Sequence, residues 1–84
     1  MNREKKIYKA ILEEFSPEFL EVKNNSHIHK GHSGYKTSED THFSIIIKCE
    51  KLKKLKRLDA HKAINRLLIE EFQNGLHALE INII

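Results

Sequence analysis

Apolar residues return at helical spacing at the start of the chain. Ile7, Ile11, Leu12 and Phe15 fall on one stripe, which predicts a helix over residues 3–15. Asn2 has the side chain for its N-cap. Ser16-Pro17 ends it, because the residue before proline is pushed out of the α region. The period then changes. Phe19 to Lys23 is short and alternating, with Leu20 and Val22 on one face, and predicts a first strand. Asn24 to Asp40 is polar and predicts a long loop, a kind of segment that is often functional in compact domains. Thr41 to Cys49 carries the strongest strand signal. Phe43, Ile45 and Ile47 alternate with Ser44 and Lys48, and Ile46 makes the second face apolar as well. Such a strand is expected at the centre of a sheet, or with its second face covered.

Leu52, Leu55 and Leu58 recur every third residue, which predicts a short turn or 3₁₀-like helix over residues 51–58 with its lysines outward. Asp59 is the expected N-cap of a further helix, whose stripe is Ala60, Ile64, Leu67, Leu68 and Phe72. Asn74-Gly75 supplies its left-handed stop. Leu76 to Ile84 alternates again and predicts a third strand, with Leu79, Ile81 and Ile83 on one face. The strands flanking the long loop should pair antiparallel. The second and third, joined through a helical crossover, should lie parallel. The expected fold class is α+β, ordered αββααβ, with a three-stranded mixed sheet and helices on one face. A length of 84 residues predicts a single domain over 1–84 with one modest core.

Composition narrows the function classes. The chain is 39% hydrophobic and 32% charged, which fits a folded domain and not a disordered one. No uninterrupted apolar run exceeds three residues, so neither a spanning helix nor a membrane partner is expected. Met1 to Lys6 is charged and no apolar stretch follows, so no secretion signal is expected. One cysteine makes no internal disulfide, and the expected compartment is the cytoplasm. The net charge of +3 is unevenly placed. Residues 1–47 are balanced, residues 63–84 carry net −2, and residues 48–62 carry seven basic against two acidic residues. A basic run holding Lys53, Lys54, Lys56, Arg57 and Lys62 attracts phosphate or an acidic partner through its field. It also reads as a solvated connector.

Six histidines occur in this short chain. The long loop enters the second strand at His42, and a parallel third strand starts at the same end with His77 near its beginning. Strand direction alone therefore gathers His27, His29, His32 and His77 at one sheet edge. Neutral imidazoles so placed are candidate ligands for Zn, Fe, Cu or Ni. The competing readings are a solvent loop for the first three and a hydrogen-bonded rim position for His77, which shares parity with Leu79 and Ile81. The spacing His27-x-His29-x-x-His32 is not that of a zinc finger. His42 reads as structural. His61, in the first turn of a helix, reads as neutral and packed. Cys49 reads as a small core residue. Glu13-Glu14 and Glu70-Glu71 read as solvated charges. No nucleophile motif is present, so no stand-alone enzyme is expected. Gly31-His32-Ser33-Gly34 matches the GxxG of KH RNA-binding loops but lies between strands, which makes the match coincidental.

Phe19-Leu20-Glu21-Val22 followed by Ser26-His27-x-His29 and a Gly/His/Ser loop resembles the BolA family. So do Thr41-His42-Phe43, His61-Lys62, and Gly75-Leu76-His77-Ala78-Leu79-Glu80-Ile81. The likeness covers nearly the whole chain, and the Leu-His-Ala-Leu stretch is its most specific part. It implies an αββααβ fold similar to type II KH domains. It also implies a function: BolA-like proteins pair with monothiol glutaredoxins, share a bridging [2Fe-2S] cluster with the glutaredoxin and glutathione, and act in cluster delivery and iron regulation.

The family's C-terminal histidine ligand is His77 here. The second family ligand is a loop His or Cys, whose place is taken by His29, with His27 and His32 as neighbouring alternatives. Two imidazoles would lower the negative charge of the cluster and raise its potential, as in Rieske centres. Their protonation would make release sensitive to pH. One chain would supply half of the ligand set, so the competent unit is a heterodimer; a weak homodimer without the partner stays open. The family is also read as DNA-binding transcriptional regulators, through a KH-like surface near the second and third helices. This chain departs from that pattern at Lys54, where a glycine is common, and at Ala60, where an arginine usually precedes the helix histidine. It also lacks the extension that often follows the last strand. These departures weigh against base-specific reading and leave phosphate steering in place.

Overall fold

The computed structural model describes residues 2–25 and 41–84. The first apolar stripe forms α1, Arg3–Phe15, and Asn2 caps it by accepting the Lys5 amide on Oδ1 at 2.9 Å. Ile7 and Ile11 are fully buried, whereas Leu12 turns outward and is 42% exposed. Ser16 ends the helix in a left-handed conformation with φ 46°, its amide bonded to the Leu12 carbonyl at 3.0 Å.

Three strands follow the expected alternation: β1, Phe19–Asn24; β2, His42–Lys48; and β3, Ala78–Ile83. β2 lies in the middle, antiparallel to β1 and parallel to β3. The register sets Ile45 opposite Val22 and Ile81. Phe43, Ile45 and Ile47 face the helices and are exposed by 2% or less. Ile46 is half-buried on the other face, between Glu21 and Asn82. Its apolar side chain thus marks the central strand. The core joins Ile7 and Ile11 to these β2 residues and to Cys49, Leu52, Ala60, Ile64, Leu68 and Leu76.

The helical crossover departs from the sequence pattern. The Leu52–Leu55–Leu58 spacing is not one packed face. α2 is a single α-helical turn, Glu50–Lys53, that buries Leu52, while Leu55 and Leu58 are 45% and 65% exposed. α3 runs from Arg57 to Leu67 with Lys56 at its N-cap, so it begins two residues before Asp59. Asp59 lies in the first turn, where a carboxylate complements the helix dipole as well as it would as a cap. The expected single helix is also broken. Leu68 sits at φ −100°, ψ 18°, and α4 resumes at Ile69–Gln73. The apolar stripe runs through the break unaltered, with Ile64 and Leu68 buried and Phe72 packed against the core, so periodicity does not reveal it. Cys49 is 2% exposed, and its thiol donates to the Phe15 carbonyl at 3.4 Å, in keeping with a core role.

Candidate functional site

The parallel register brings the starts of β2 and β3 together, with His42 opposite Ala78. Gly75, at φ 119°, turns the chain out of α4, and Leu76 fills the core behind the turn at 3% exposure. The Arg3 guanidinium lies beside the turn, in ordinary contact with the place a Gly75 Cβ would take. Its Nε donates to Glu71 Oε1 at 2.9 Å, and its terminal nitrogen donates to the Asn74 carbonyl at 2.7 Å. A buried leucine and a buried-edge arginine thus fix the segment that presents His77.

His77 is exposed and precedes β3, so it is not the rim residue that strict alternation predicts. The amides of His77 and Ala78 both donate to the Thr41 carbonyl, at 2.8 and 3.1 Å. Two successive donors on one acceptor break the pleat in the manner of a bulge, so the parity of Leu79 does not extend back to His77. The ring lies beside that of His42, with centroids 5.3 Å apart and planes tilted by 54°. His42 Nδ1 is in turn hydrogen-bonded to Thr41 Oγ1 at 2.8 Å. Sequence reasoning read His42 as structural. The signal that could have found its place was the parallel register, which sets the first residue of β2 next to the start of β3. His29, His27 and His32 lie outside the described residues. Among the described residues, no group of three or more His, Cys, Asp or Glu is placed to hold a metal ion.

The basic run occupies another part of the molecule. Lys53, Lys54, Lys56, Arg57 and Lys62 are all exposed. Lys53 and Arg57 line a groove of about 410 Å³ between the α2–α3 turn and the β3 edge, together with Leu55, His61, Ile81 and Ile83. Lys54 and Lys56 flank that turn as the cap residues of α2 and α3, and Lys62 stands on α3; none of these three lines the groove. His61 is half-buried at the groove wall, a role that its first-turn position did not disclose. Among the described residues no helix is long and apolar enough to cross a membrane.

Fold and edge together define a small α+β domain that presents imidazoles at one end of a mixed sheet. A model of the BolA-like protein family matches residues 11–84, and the chain belongs to that family. It is 32% identical over 77 residues to the DNA-binding transcriptional regulator BolA of Haemophilus influenzae, covering 92% of this chain and 71% of that one. Among solved structures, BolA1 from Arabidopsis thaliana superposes with a TM-score of 0.87 at 30% identity, over 99% of this chain and 90% of that one. The BolA domain of SufE1 from the same plant gives 0.87 at 31% identity, over 99% and 91%. The mixed three-stranded sheet with its helices is therefore the fold of the family.

Proposed function

We propose that this chain is a cytoplasmic cluster-carrying partner, without catalysis of its own, that binds a bridging [2Fe-2S] cluster together with a monothiol glutaredoxin and glutathione. The observation that carries the reading is His77, exposed and held at the end of the sheet by a buried leucine and the Arg3 contacts. An exposed, rigidly placed imidazole suits a ligand that a second protein must reach. His77 would hold one iron, with His29 as the second imidazole that the family resemblance implies. The bound cluster supplies a transferable iron–sulfur unit whose imidazole side carries less negative charge than thiolates would. The test is co-expression with a monothiol glutaredoxin, followed by visible spectroscopy and iron and sulfide analysis. A coloured heterodimer with near-equal iron and sulfide is expected, and His77→Ala should bleach it. A colourless wild-type pair would overturn the reading.

A second reading is supported by the basic groove and by the DNA-binding role in the name of the Haemophilus relative. Lys53 and Arg57 would meet phosphates, flanked by Lys54, Lys56 and Lys62. Each phosphate contact displaces condensed counterions, so affinity for duplex DNA should fall with salt at a log–log slope of about −0.9 per contact. Arg57→Ala should reduce that slope by about 1, and a slope near zero in the wild type would sink the reading.

A further inference from the structure

We propose that the outer edge of β3, with the seam between that strand and α3, is a docking site for an acidic, extended peptide segment of a partner protein. The proposal rests on neither reading above. Among the described residues β3 ends the sheet, in the order β1-β2-β3. The Ala78 and Ile84 amides donate toward β2, to the Thr41 and Ile47 carbonyls. Backbone groups alternate in direction along a strand, so the N–H and C=O of Leu79, Ile81 and Ile83 point outward, away from β2. They recur about every 6.6 Å. Another extended chain is the ligand whose own backbone matches such a row of donors and acceptors.

Side chains complete the site. Two cavities follow one another along the seam. The first, of about 410 Å³, takes in Ile81 and Ile83 with Arg57 and His61. The second, of about 570 Å³, takes in Leu79 with Asn65, Arg66 and Ile69. His61 and Asn65 stand one turn apart on α3, so the helix forms one continuous wall. Leu55 in the first cavity and Ile69 in the second are 45% and 51% exposed. An added strand would lay every second side chain over this apolar seam. The charge of the seam selects the occupant. Lys53, Arg57 and Arg66 line the two cavities, and no Asp or Glu among the described residues does. Carboxylates on the incoming strand complement that field. The same charges weigh against a second copy of this chain. Two β3 strands paired antiparallel about a two-fold axis would set the Arg57 end of one against the Arg66 end of the other, cation toward cation. A nucleic acid would meet the cations but brings no row of amides to the strand edge.

The experiment uses the full chain and a capped, fluorescein-labelled peptide, Glu-Thr-Val-Thr-Val-Thr-Glu, read by fluorescence anisotropy. Its valines and glutamates share one face, with a glutamate at each end for Arg57 and Arg66. Exchanging both glutamates for lysine should weaken binding at least about tenfold. N-methylation is the decisive probe, because it removes backbone donors and keeps the side chains. Methylating the valines and glutamates blocks an antiparallel strand, and methylating the threonines blocks a parallel one. One set should therefore cost about tenfold or more, and the other about twofold at most. Ile83→Pro removes one outward N–H at a place where an edge strand tolerates proline. It should weaken the peptide about fivefold and leave duplex DNA affinity unchanged. Circular dichroism checks that this variant folds, and the methylated peptides decide the matter on the wild-type chain if it does not. No binding of the glutamate peptide, equal effects of the two methylated sets, or equal binding of the lysine peptide would overturn the proposal. So would a dimer of the free chain that Ile83→Pro dissociates, since the edge would then belong to a second copy.

Discussion

Thr41 holds His42 and the start of β3 through separate atoms, which allows its two roles to be parted. Thr41→Val keeps the β-branched shape and the carbonyl that anchors His77 and Ala78, and removes the Oγ1 contact to His42 Nδ1. A hydrogen bond deleted at a half-buried site should lower stability by no more than about 1.5 kcal/mol. Gly75 is a different case, since its φ of 119° is one that side chains rarely adopt. Gly75→Ala should cost about 1–3 kcal/mol in denaturant unfolding. Asn74-Gly75 was legible as a stop because few residues tolerate that backbone. The exposure of His77 was not, because the shared Thr41 carbonyl that breaks the alternation pairs residues 36 positions apart in the chain.

The strands were the most legible elements, since a period of two survives wherever one face is buried. β1 and β2 gain at most one residue or lose one at each end relative to their patterns. The helical crossover was less so. Asp59 serves the α3 dipole from the first turn as well as from the cap, and Leu68 stays in the core through the break that separates α3 from α4. Neither feature alters the apolar period. The Arg3 clamp was also beyond sequence reading, because it joins the first turn of α1 to the end of α4 across 68 positions. Its guanidinium and the Glu71 carboxylate are only 14% and 17% exposed, so it differs from the open Lys9–Glu13 pair. Arg3→Met keeps much of the packing and leaves Glu71 and the Asn74 carbonyl without these donors. Unfolding measurements should show a loss of about 1–3 kcal/mol, and Lys9→Met should show less than about 0.5 kcal/mol.

The two surfaces lie toward opposite ends of the same strand. His77 precedes Ala78 at the start of β3, and the groove takes in Ile81 and Ile83 near its finish. At about 3.3 Å per residue, the span from His77 to Ile83 is roughly 20 Å. Fields between exposed charges fade over about 8 Å at physiological ionic strength, so the basic run should barely reach a metal at the histidine edge. Packing offers little more coupling, because β2 between them is the central strand, paired on both edges and buried on its helix-facing side. The two activities should then be separable. In Arg57→Ala, the cluster spectrum of the glutaredoxin pair should match wild type while the salt slope for duplex DNA flattens. In His77→Ala, the slope should hold while the cluster of the glutaredoxin pair is lost. The double variant should show the sum of the single effects to within about 0.5 kcal/mol in each assay. A larger departure at physiological salt would mean that one partner's binding reshapes the sheet. A departure that vanishes as salt is raised would be the residual field of the basic run.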